Sequence, residues 1–161
     1  MYTYKKMNSP IGPLFILCDN QSLVSILFEE KELIEKYHSA KMDEASVHAM
    51  CALVEEQLTE YFNGERMDFS IPVNLEGTPF QMEVWEALSK IPYGTVKSYQ
   101  EIAVEINRPL AVRAVGQANR RNSLPIIIPC HRVNGKNQAL VGYAGDRIGM
   151  KEQLLKLEGV R

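Results

Sequence analysis

Residues 72–77 divide the chain into two parts whose apolar residues follow different spacings. Before this segment, short apolar runs and alternation indicate strands followed by a helix. After it, apolar residues recur every three or four positions, as on helices. A segment rich in turn-forming residues is typical of a linker between two hydrophobic cores. The 161-residue sequence therefore predicts an α+β protein with a small domain over 1–71, a linker over 72–77 and a mostly helical domain over 78–161.

The first domain is predicted to hold a small antiparallel sheet and a helix. Apolar runs at 14–18 and 23–28 flank a turn-rich cluster, which indicates a hairpin, and residues 1–8 supply a further strand. From residue 46 the apolar spacing becomes helical. A last short strand is predicted from the alternation of Met67, Phe69 and Ile71.

The second domain is predicted to contain a helix-turn-helix. Two helix N-termini are predicted, one at Thr78–Gln81 and one at Ser98–Glu101. Each combines an N-cap residue with a capping-box residue. The second of these helices breaks at Asn107–Pro109 and a third runs to about Asn119, so two short helices join through a tight turn. Two packed helices without any ligand would give the same pattern.

Downstream residues extend this arrangement. Ile126–Ile128 is typical of a buried strand, and Val133–Lys136 is a hairpin turn signal. A hairpin after a helix-turn-helix is the pattern of a winged helix. A last helix is predicted over about 147–157, with Ile148, Leu154 and Leu155 inward.

The third helix has two distinct faces. Arg113, Gln117 and Arg120 share one face, and Gly116 lies mid-helix, where glycine costs about 1 kcal/mol relative to alanine. Close approach of a bulky partner to the backbone and tight packing of two helices are both open explanations. Arginines beside small residues suit insertion into a nucleic-acid groove. The small apolar residues are Ala111, Ala114, Val115 and Ala118.

Charged residues are unevenly distributed along the chain. The first 77 residues have 6 Lys or Arg and 13 Asp or Glu, and the rest have 12 and 7. No acidic residue occurs between Glu105 and Asp146. This basic stretch favours a nucleic-acid partner, the alternative being a solvated basic face. Its basic residues are Arg108, Arg113, Arg120, Arg121, Arg132 and Lys136.

Several protein classes are disfavoured by the sequence. No apolar run is long enough to span a membrane, and the N-terminus lacks the apolar run of a signal peptide, which predicts a cytoplasmic protein. The three cysteines are widely spaced and predicted to be thiols rather than disulfides. His48 and Cys51 suit one pair of metal ligands, but no second pair has the required spacing, so no metal is expected.

The candidate reactive motif is Pro129-Cys130-His131-Arg132. A thiolate is the nucleophilic form of cysteine, and His131 can take the proton directly or through a water. A hydrolase or acyltransferase that turns over is one alternative, although no glycine-rich loop for an oxyanion hole precedes Cys130. A winged-helix protein that only binds DNA is another, but it gives no reason for the Cys–His pair. The remaining cysteines, Cys18 and Cys51, are predicted to be core residues.

Ile128–Val133 resembles the signature of the O6-alkylguanine-DNA alkyltransferases, the methylated-DNA–protein-cysteine methyltransferases. The resemblance covers about residues 77–160, and the first 70 residues match in the order of strands and helix. It implies a ribonuclease H-like N-terminal domain and a winged helix-turn-helix C-terminal domain. The other matching motifs are Thr78–Gln81, Ile91–Gly94, Ser98-Tyr99, Arg113–Gly116, Asn122, Gly142–Gly145, Lys151–Leu155 and Glu158-Gly159.

The resemblance implies DNA repair by direct, stoichiometric transfer of an alkyl group, such as methyl, from O6-alkylguanine or O4-alkylthymine to Cys130. Attack on the alkyl carbon gives a thioether, which has no carbonyl for water to attack, so the protein would react once. The partner would be double-stranded DNA, bound through its minor groove by a monomer, with the damaged nucleotide flipped out. No cofactor is implied.

The resemblance also implies roles for individual residues. His131 would act on Cys130 through a water, and Glu158 would orient that histidine, as in hydrolase triads. Tyr99 would give a proton to the departing guanine. The alkylguanine pocket would include Asn122, Val133, Tyr143 and Ala144. Arg113 would replace the flipped nucleotide in the base stack. The other DNA contacts would be Ala111, Gly116, Gln117, Arg120 and Arg121.

Overall fold

The computed structural model describes residues 1–44, 47–135 and 148–160. The chain divides into two compact units, Met1–Leu75 and Glu76–Arg161. Among the described residues, no helix has both the length and the apolar character needed to cross a membrane.

The first unit is built on a four-stranded sheet in the order β3-β2-β1-β4. The first three strands form an antiparallel meander, as the hairpin pattern predicts, and the two-residue β4 adds to β1 in parallel. Gly12, with φ +109°, adopts the backbone conformation that the tight turn from β1 to β2 requires. The strands are β1 (Thr3–Ser9), β2 (Gly12–Cys18), β3 (Leu23–Leu27) and β4 (Lys41–Met42).

Two helices complete this unit, α1 (Glu30–Lys36) and α2 (Ala49–Phe62). The long α2 agrees with the helical spacing after residue 46, whereas α1 was not predicted. Its only buried residue is Leu33, which leaves too little apolar periodicity to signal a helix. Leu33 packs into a cluster of buried apolar side chains with Tyr4, Phe15, Leu17 and Val24.

The strand predicted from Met67, Phe69 and Ile71 is wrong. No strand is present between residues 67 and 71. The buried side chain of Gln57 accepts a hydrogen bond from the Ser70 backbone N–H at 2.9 Å and donates to the Ser70 carbonyl at 3.3 Å. These backbone groups are therefore bonded to a helix side chain rather than to a neighbouring strand.

The second unit is mostly helical. Both predicted capping boxes are complete, with Thr78 and Gln81 exchanging hydrogen bonds at the first helix and Ser98 and Glu101 at the second. The turn of the helix-turn-helix passes through Asn107, which has a left-handed φ of 62°. The helices are α3 (Pro79–Ser89), α4 (Tyr99–Glu105), α5 (Val112–Arg120) and α6 (Ile148–Leu157).

Contacts of Trp85 hold α3 against α5. Its indole N–H donates a 2.8 Å hydrogen bond to the Ala118 carbonyl, and the side chain is buried. A Cβ at Gly77 would lie 2.6 Å from the Trp85 ring, so glycine is required at the entry to α3. The helix α5 is thus anchored through its backbone, and Arg113, Gln117 and Arg120 on its other side are exposed.

A two-strand pairing links α4 to the segment that follows Cys130. β5 (Lys97–Ser98) pairs in parallel with β6 (Val133–Asn134). The hairpin turn predicted at Val133–Lys136 extends to residues outside those the structure describes. Because Ser98 is also the N-cap of α4, this pairing fixes the start of α4 relative to the reactive motif.

The strand predicted at Ile126–Ile128 is also wrong, because these residues form turns. Ile126 has φ +76°, a conformation that costs a β-branched residue on the order of 1–3 kcal/mol. The Asn122 amide donates to the Ile128 carbonyl at 2.8 Å, and its oxygen accepts from the Leu124 N–H at 2.9 Å. The buried apolar run is therefore a tightly closed loop, and burial alone did not distinguish it from a strand.

The inward face of α6 also differs from the prediction. Leu154 and Leu155 are buried as expected, but Ile148 is 41% exposed and Lys151 is completely buried. The helix therefore turns a lysine toward the core of the second unit.

Candidate active site

The reactive motif lies in a single 3-10 turn, Cys130–Arg132, whose three side chains are all buried. The preceding backbone is tightly wound, with the Cys130 N–H donating to the Ile128 carbonyl at 2.7 Å and the Arg132 N–H to the Pro129 carbonyl at 2.9 Å. Cys130 is 1% exposed. The closed loop before it and the β5–β6 pairing after it hold the thiol in a fixed position.

The His131 imidazole and the Glu158 carboxylate form the centre of a buried network. His131 Nε2 lies 2.7 Å from Glu158 Oε2. Since an ionised carboxylate only accepts hydrogen bonds, Nε2 is the protonated nitrogen, and Nδ1 has the basic lone pair. Arg132 and the Gly94 N–H also donate to the Glu158 carboxylate. Glu158, just beyond α6, is thereby held in a fixed position against the His131 ring.

Burial sets the protonation of the Cys130–His131 pair. Desolvation raises the pKa of the Cys130 thiol to about 11. Desolvation also lowers the pKa of His131 below its ordinary value of 6.5, although the Glu158 carboxylate acts to raise it. At neutral pH the resting pair is therefore a thiol beside a neutral imidazole. This is the protonation state in which histidine can act as a base toward the thiol.

Two groups favour a negative charge on the Cys130 sulfur. The Asn122 side chain donates a hydrogen bond to it, and the positive charge of Lys151 acts in the same direction on the pKa of Cys130. Lys151 is itself held by a hydrogen bond from Nζ to the Val133 carbonyl. Asn122 thus contacts both the sulfur and the loop that supports it.

Tyr99 is the first residue of α4 and lies close enough to Cys130 for the two to affect each other's ionisation. Burial is the main cause that raises the pKa of Tyr99 to about 12, with a further contribution from Cys130. Asn119 hydrogen-bonds the Tyr99 side chain and donates to the Cys130 carbonyl at 3.4 Å. Tyr99 therefore keeps its proton at neutral pH.

The residues predicted to contact DNA lie on α5 or at its ends. Arg113, Gln117, Arg120 and Arg121 are exposed, while Ala111 and Gly116 are partly buried. Apart from the adjacent residues and the backbone of α5 itself, no atom of the described residues lies within 4 Å of a Cβ built on Gly116. Tight packing against another described helix therefore does not explain this glycine, and the helix surface around it is open.

The structure brings together six of the eight residues predicted for the reaction and the alkylguanine pocket, and it adds others. Cys130, His131, Glu158, Tyr99, Asn122 and Val133 belong to one connected cluster in the second unit. Tyr143 and Ala144 lie outside the described residues. Sequence reasoning missed Asn119 and Lys151, and it gave Arg132 only a charge. Mid-helix polar residues facing inward give no local signal of that orientation.

Among residues 1–44, 47–135 and 148–160, no group of three or more His, Cys, Asp or Glu side chains is arranged to hold a metal ion. Cys18 and Cys51 are buried thiols of the first unit.

Comparison with known proteins matches both units to one family. The model described as 6-O-methylguanine DNA methyltransferase, DNA binding domain, matches residues 79–160, and the ribonuclease-like domain model of the same methyltransferase matches residues 2–75. A constitutive methylated-DNA–protein-cysteine methyltransferase of Bacillus subtilis is 43% identical over 160 residues, which are 99% of this chain and 97% of the relative. The chain belongs to the 6-O-methylguanine DNA methyltransferase family.

Solved structures of 6-O-methylguanine DNA methyltransferases agree with this fold. The Mycobacterium tuberculosis O6-methylguanine methyltransferase has a TM-score of 0.90 at 40% identity, covering 100% of this chain and 94% of that one. M. tuberculosis OGT in complex with DNA has a TM-score of 0.85 at 41% identity, covering 97% of this chain and 92% of that one. The α+β architecture predicted from the sequence is thus confirmed.

Proposed function

We propose that this protein repairs DNA by moving the alkyl group of O6-alkylguanine to the Cys130 sulfur. Its relatives are named methylated-DNA–protein-cysteine methyltransferases at 41–45% identity over nearly the full chain. The observation that supports Cys130 as the acceptor is its contact network. Of the three cysteines, Cys130 is the one that directly precedes the Glu158-bonded His131 in the chain and whose sulfur faces Asn122 and Lys151.

The transfer begins with loss of the thiol proton. His131 Nδ1 takes the proton of Cys130 through one water, and the Glu158 carboxylate stabilises the resulting imidazolium. As charge develops on sulfur, the Asn122 hydrogen bond and the Lys151 charge stabilise it. The sulfur then attacks the alkyl carbon, the carbon–O6 bond breaks, and a thioether forms.

The departing guanine needs a proton to leave as a neutral base. Tyr99 keeps its hydroxyl proton at neutral pH because its pKa is about 12. It can donate a hydrogen bond or a proton to the purine as electrons return to the ring. Asn119, bonded to both Tyr99 and the Cys130 carbonyl, positions this hydroxyl relative to the acceptor.

The exposed face of α5 provides the DNA contact. Arg113, Gln117 and Arg120 are exposed on this face, and the open surface at Gly116 permits a close approach of the minor groove to the helix. The alkylated base must be flipped out to reach a thiol that is 1% exposed. Arg113 would then fill its place in the stack. O4-alkylthymine is a second substrate on this proposal, and the protein acts as a cytoplasmic monomer without a cofactor.

The test is the intact mass of the protein after incubation with an O6-methylguanine duplex. The expected result is a gain of one methyl per molecule, located on Cys130 by peptide mapping, with no second turnover. Cys51→Ala is the matched control and should react like the unmodified sequence, whereas Cys130→Ala should not react. Repeated turnover would favour the hydrolase alternative, and DNA binding without any mass gain would favour the binding protein.

A further inference from the structure

A fully exposed leucine lies in the turn of the helix-turn-helix, between α4 and α5. Leu110 is 99% exposed, the highest value for a large apolar side chain among the residues that the structure describes. Single exposed apolar residues are ordinary on protein surfaces. Leu110 differs in its position, because it directly precedes Ala111, the N-cap of the helix that carries the predicted DNA contacts. Neither the alkyl transfer nor the DNA contacts proposed above use this side chain.

Hydrogen bonds on both sides of Leu110 hold this turn in place. The Ala111 N–H donates to the Arg108 carbonyl at 2.9 Å, which closes the turn around Leu110. The Gln100 side chain donates to the Pro109 carbonyl at 3.2 Å, and the proline ring fixes the φ angle of its own residue. The leucine side chain is therefore presented to solvent from a turn whose backbone is tied to α4.

The side chain of Arg108 ties the same turn to α3. Its Nη2 lies 3.0 Å from Glu83 Oε2, and its guanidinium carbon lies 5.8 Å from the centroid of the Phe80 ring. Both of these partners are residues of α3. Arg108 is thus paired within the protein although it belongs to the basic stretch of the sequence, whereas Leu110, two residues later, is fully exposed.

Leu110 continues the sequence spacing of the exposed face of α5. The intervals from Leu110 to Arg113, Gln117 and Arg120 are three, four and three residues, which is the spacing of one side of a helix. The last three of these residues are exposed on α5. The leucine therefore lies at the end of the face on which Arg113 is exposed, one turn before it.

Charge identifies a nucleic acid as the partner that covers this leucine. Arg113, Arg120 and Arg121 are exposed on α5 or at its end, and no acidic residue occurs between Glu105 and Asp146 to repel a phosphate. The family model that matches residues 79–160 is that of a DNA binding domain. Proteins that bind the minor groove insert leucine and other apolar side chains between base pairs as wedges, which unstack the pairs.

We propose that Leu110 enters the base stack of the bound duplex as an apolar wedge, at a base step next to the position that Arg113 fills. This inference rests on the DNA contact and base flipping proposed above. Side chains one helical turn apart are separated by about 5–6 Å, which is comparable with the rise of about 3.4 Å per base pair, so the two side chains reach neighbouring steps. Unstacking by Leu110 makes the alkylated nucleotide easier to extrude, and Arg113 then occupies the space that it leaves.

The first experiment compares single-turnover transfer from an O6-methylguanine duplex with transfer from the free O6-methylguanine base. Leu110→Ala should slow the duplex reaction by about 3- to 30-fold, because an apolar contact with the bases is lost, and it should leave the free-base reaction unchanged. Leu110→Met keeps a large apolar side chain and should restore most of the duplex rate. Ile34→Ala is the matched control and should react normally on both substrates, since Ile34 is a 53% exposed apolar residue of the first unit.

The second experiment detects the wedge without any alkyl transfer. The Cys130→Ala protein is added to O6-methylguanine duplexes with 2-aminopurine on one side of the lesion or the other, because the fluorescence of this base rises when it is unstacked. We expect a rise on one side, which should be lost when Leu110→Ala is added to the same protein.

The two experiments separate failure of the wedge from failure of the proposed function. If the unmodified protein transfers no methyl group from either substrate, the proposed alkyl transfer is wrong, and the fluorescence still decides the role of Leu110. The wedge is overturned if Leu110→Ala repairs the duplex at the unmodified rate, slows both substrates equally or leaves the 2-aminopurine signal unchanged. A loss of self-association in place of these effects would assign Leu110 to a protein contact and would also overturn it.

Discussion

The Arg132 guanidinium holds both oxygens of the Glu158 carboxylate, with Nε 2.8 Å from Oε1 and Nη2 3.0 Å from Oε2. The third guanidinium nitrogen, Nη1, donates to the Ile91 carbonyl at 2.7 Å. The central guanidinium carbon, Cζ, lies 5.6 Å from the centroid of the Tyr93 ring. Both charged side chains are buried. The carboxylate that faces His131 is therefore positioned by a two-pronged arginine contact that a lysine cannot reproduce.

Replacing Arg132 with methionine should strongly destabilise the second unit. The substitution leaves the Glu158 carboxylate buried and without its cationic partner, which costs about 3–5 kcal/mol of unfolding free energy. Urea unfolding measures this loss. Arg66→Met is the matched control, because Arg66 Nε lies 2.9 Å from Glu60 Oε1 but both side chains are partly exposed, and it should cost less than about 1 kcal/mol. Equal losses would contradict a special role for burial.

The rate of alkyl transfer should fall on the acid side of neutral pH. Burial places the pKa of His131 below 6.5, so His131 is the required neutral base at pH 7 and becomes protonated as the pH falls through that lowered value. The same sign applies to stability, because below pH 6.5 the unfolded state binds this proton before the folded state does. Single-turnover rates measured from about pH 4 to about pH 8, a range that brackets the ordinary pKa of histidine, test this expected fall in rate.

Glu158→Gln should change that pH profile in a specific way. Glu158 raises the pKa of His131, so its removal should move the acid limb to lower pH. The plateau should fall by about 10²–10⁴-fold, because the imidazolium loses its stabilising carboxylate. A lower plateau with an unmoved acid limb would assign the limb to another group.

Lys151→Met should slow transfer by raising the pKa of Cys130. The lysine charge lowers that pKa, and each unit of increase reduces the thiolate population about tenfold. The defect should shrink as the pH of the single-turnover assay rises toward the thiol pKa of about 11. Lys156→Met, on the exposed side of the same helix, is the control and should leave the rate unchanged. A loss of equal size at every pH would mean that Lys151 only supports the fold.

Local signals explain which features could be predicted from the sequence. The starts of α3 and α4 follow from capping boxes contained within four consecutive residues, and the reactive motif is four consecutive residues as well. Each of these depends on neighbours in the chain, and the structure contains both helices at the predicted positions. The hairpin of β1 and β2 depends on a similar local turn.

Features that depend on tertiary contacts could not be predicted. Ile126 to Ile128 read as a strand because burial favours β-branched residues, but the Asn122 side chain closes the segment as a loop. Lys151 and Asn119 are polar residues on helices, and only the packing of those helices shows that both are fully buried beside Cys130. A sequence pattern contains the spacing of such residues but not the groups that they face.

Arg113→Ala should separate base flipping from chemistry. Arg113 is exposed on α5, away from the buried Val115 and Ala118. If its side chain replaces a flipped nucleotide, the variant should repair duplex DNA roughly 10- to 1,000-fold more slowly, because flipping costs a few kcal/mol. Reaction with the free O6-alkylguanine base needs no flipping and should change little. Single-turnover rates on the two substrates measure the difference.

Arg120→Ala is the matched control for this prediction, since Arg120 is an exposed arginine on the same helix. If Arg120 contacts a DNA phosphate, the variant should bind DNA of every sequence modestly more weakly. The slope of log affinity against log salt concentration should become shallower by about one unit, the contribution of one phosphate contact. It should leave the ratio of duplex to free-base rates unchanged. If Arg113→Ala slows both substrates equally, the side chain supports the pocket or the fold, and the role in base flipping is wrong.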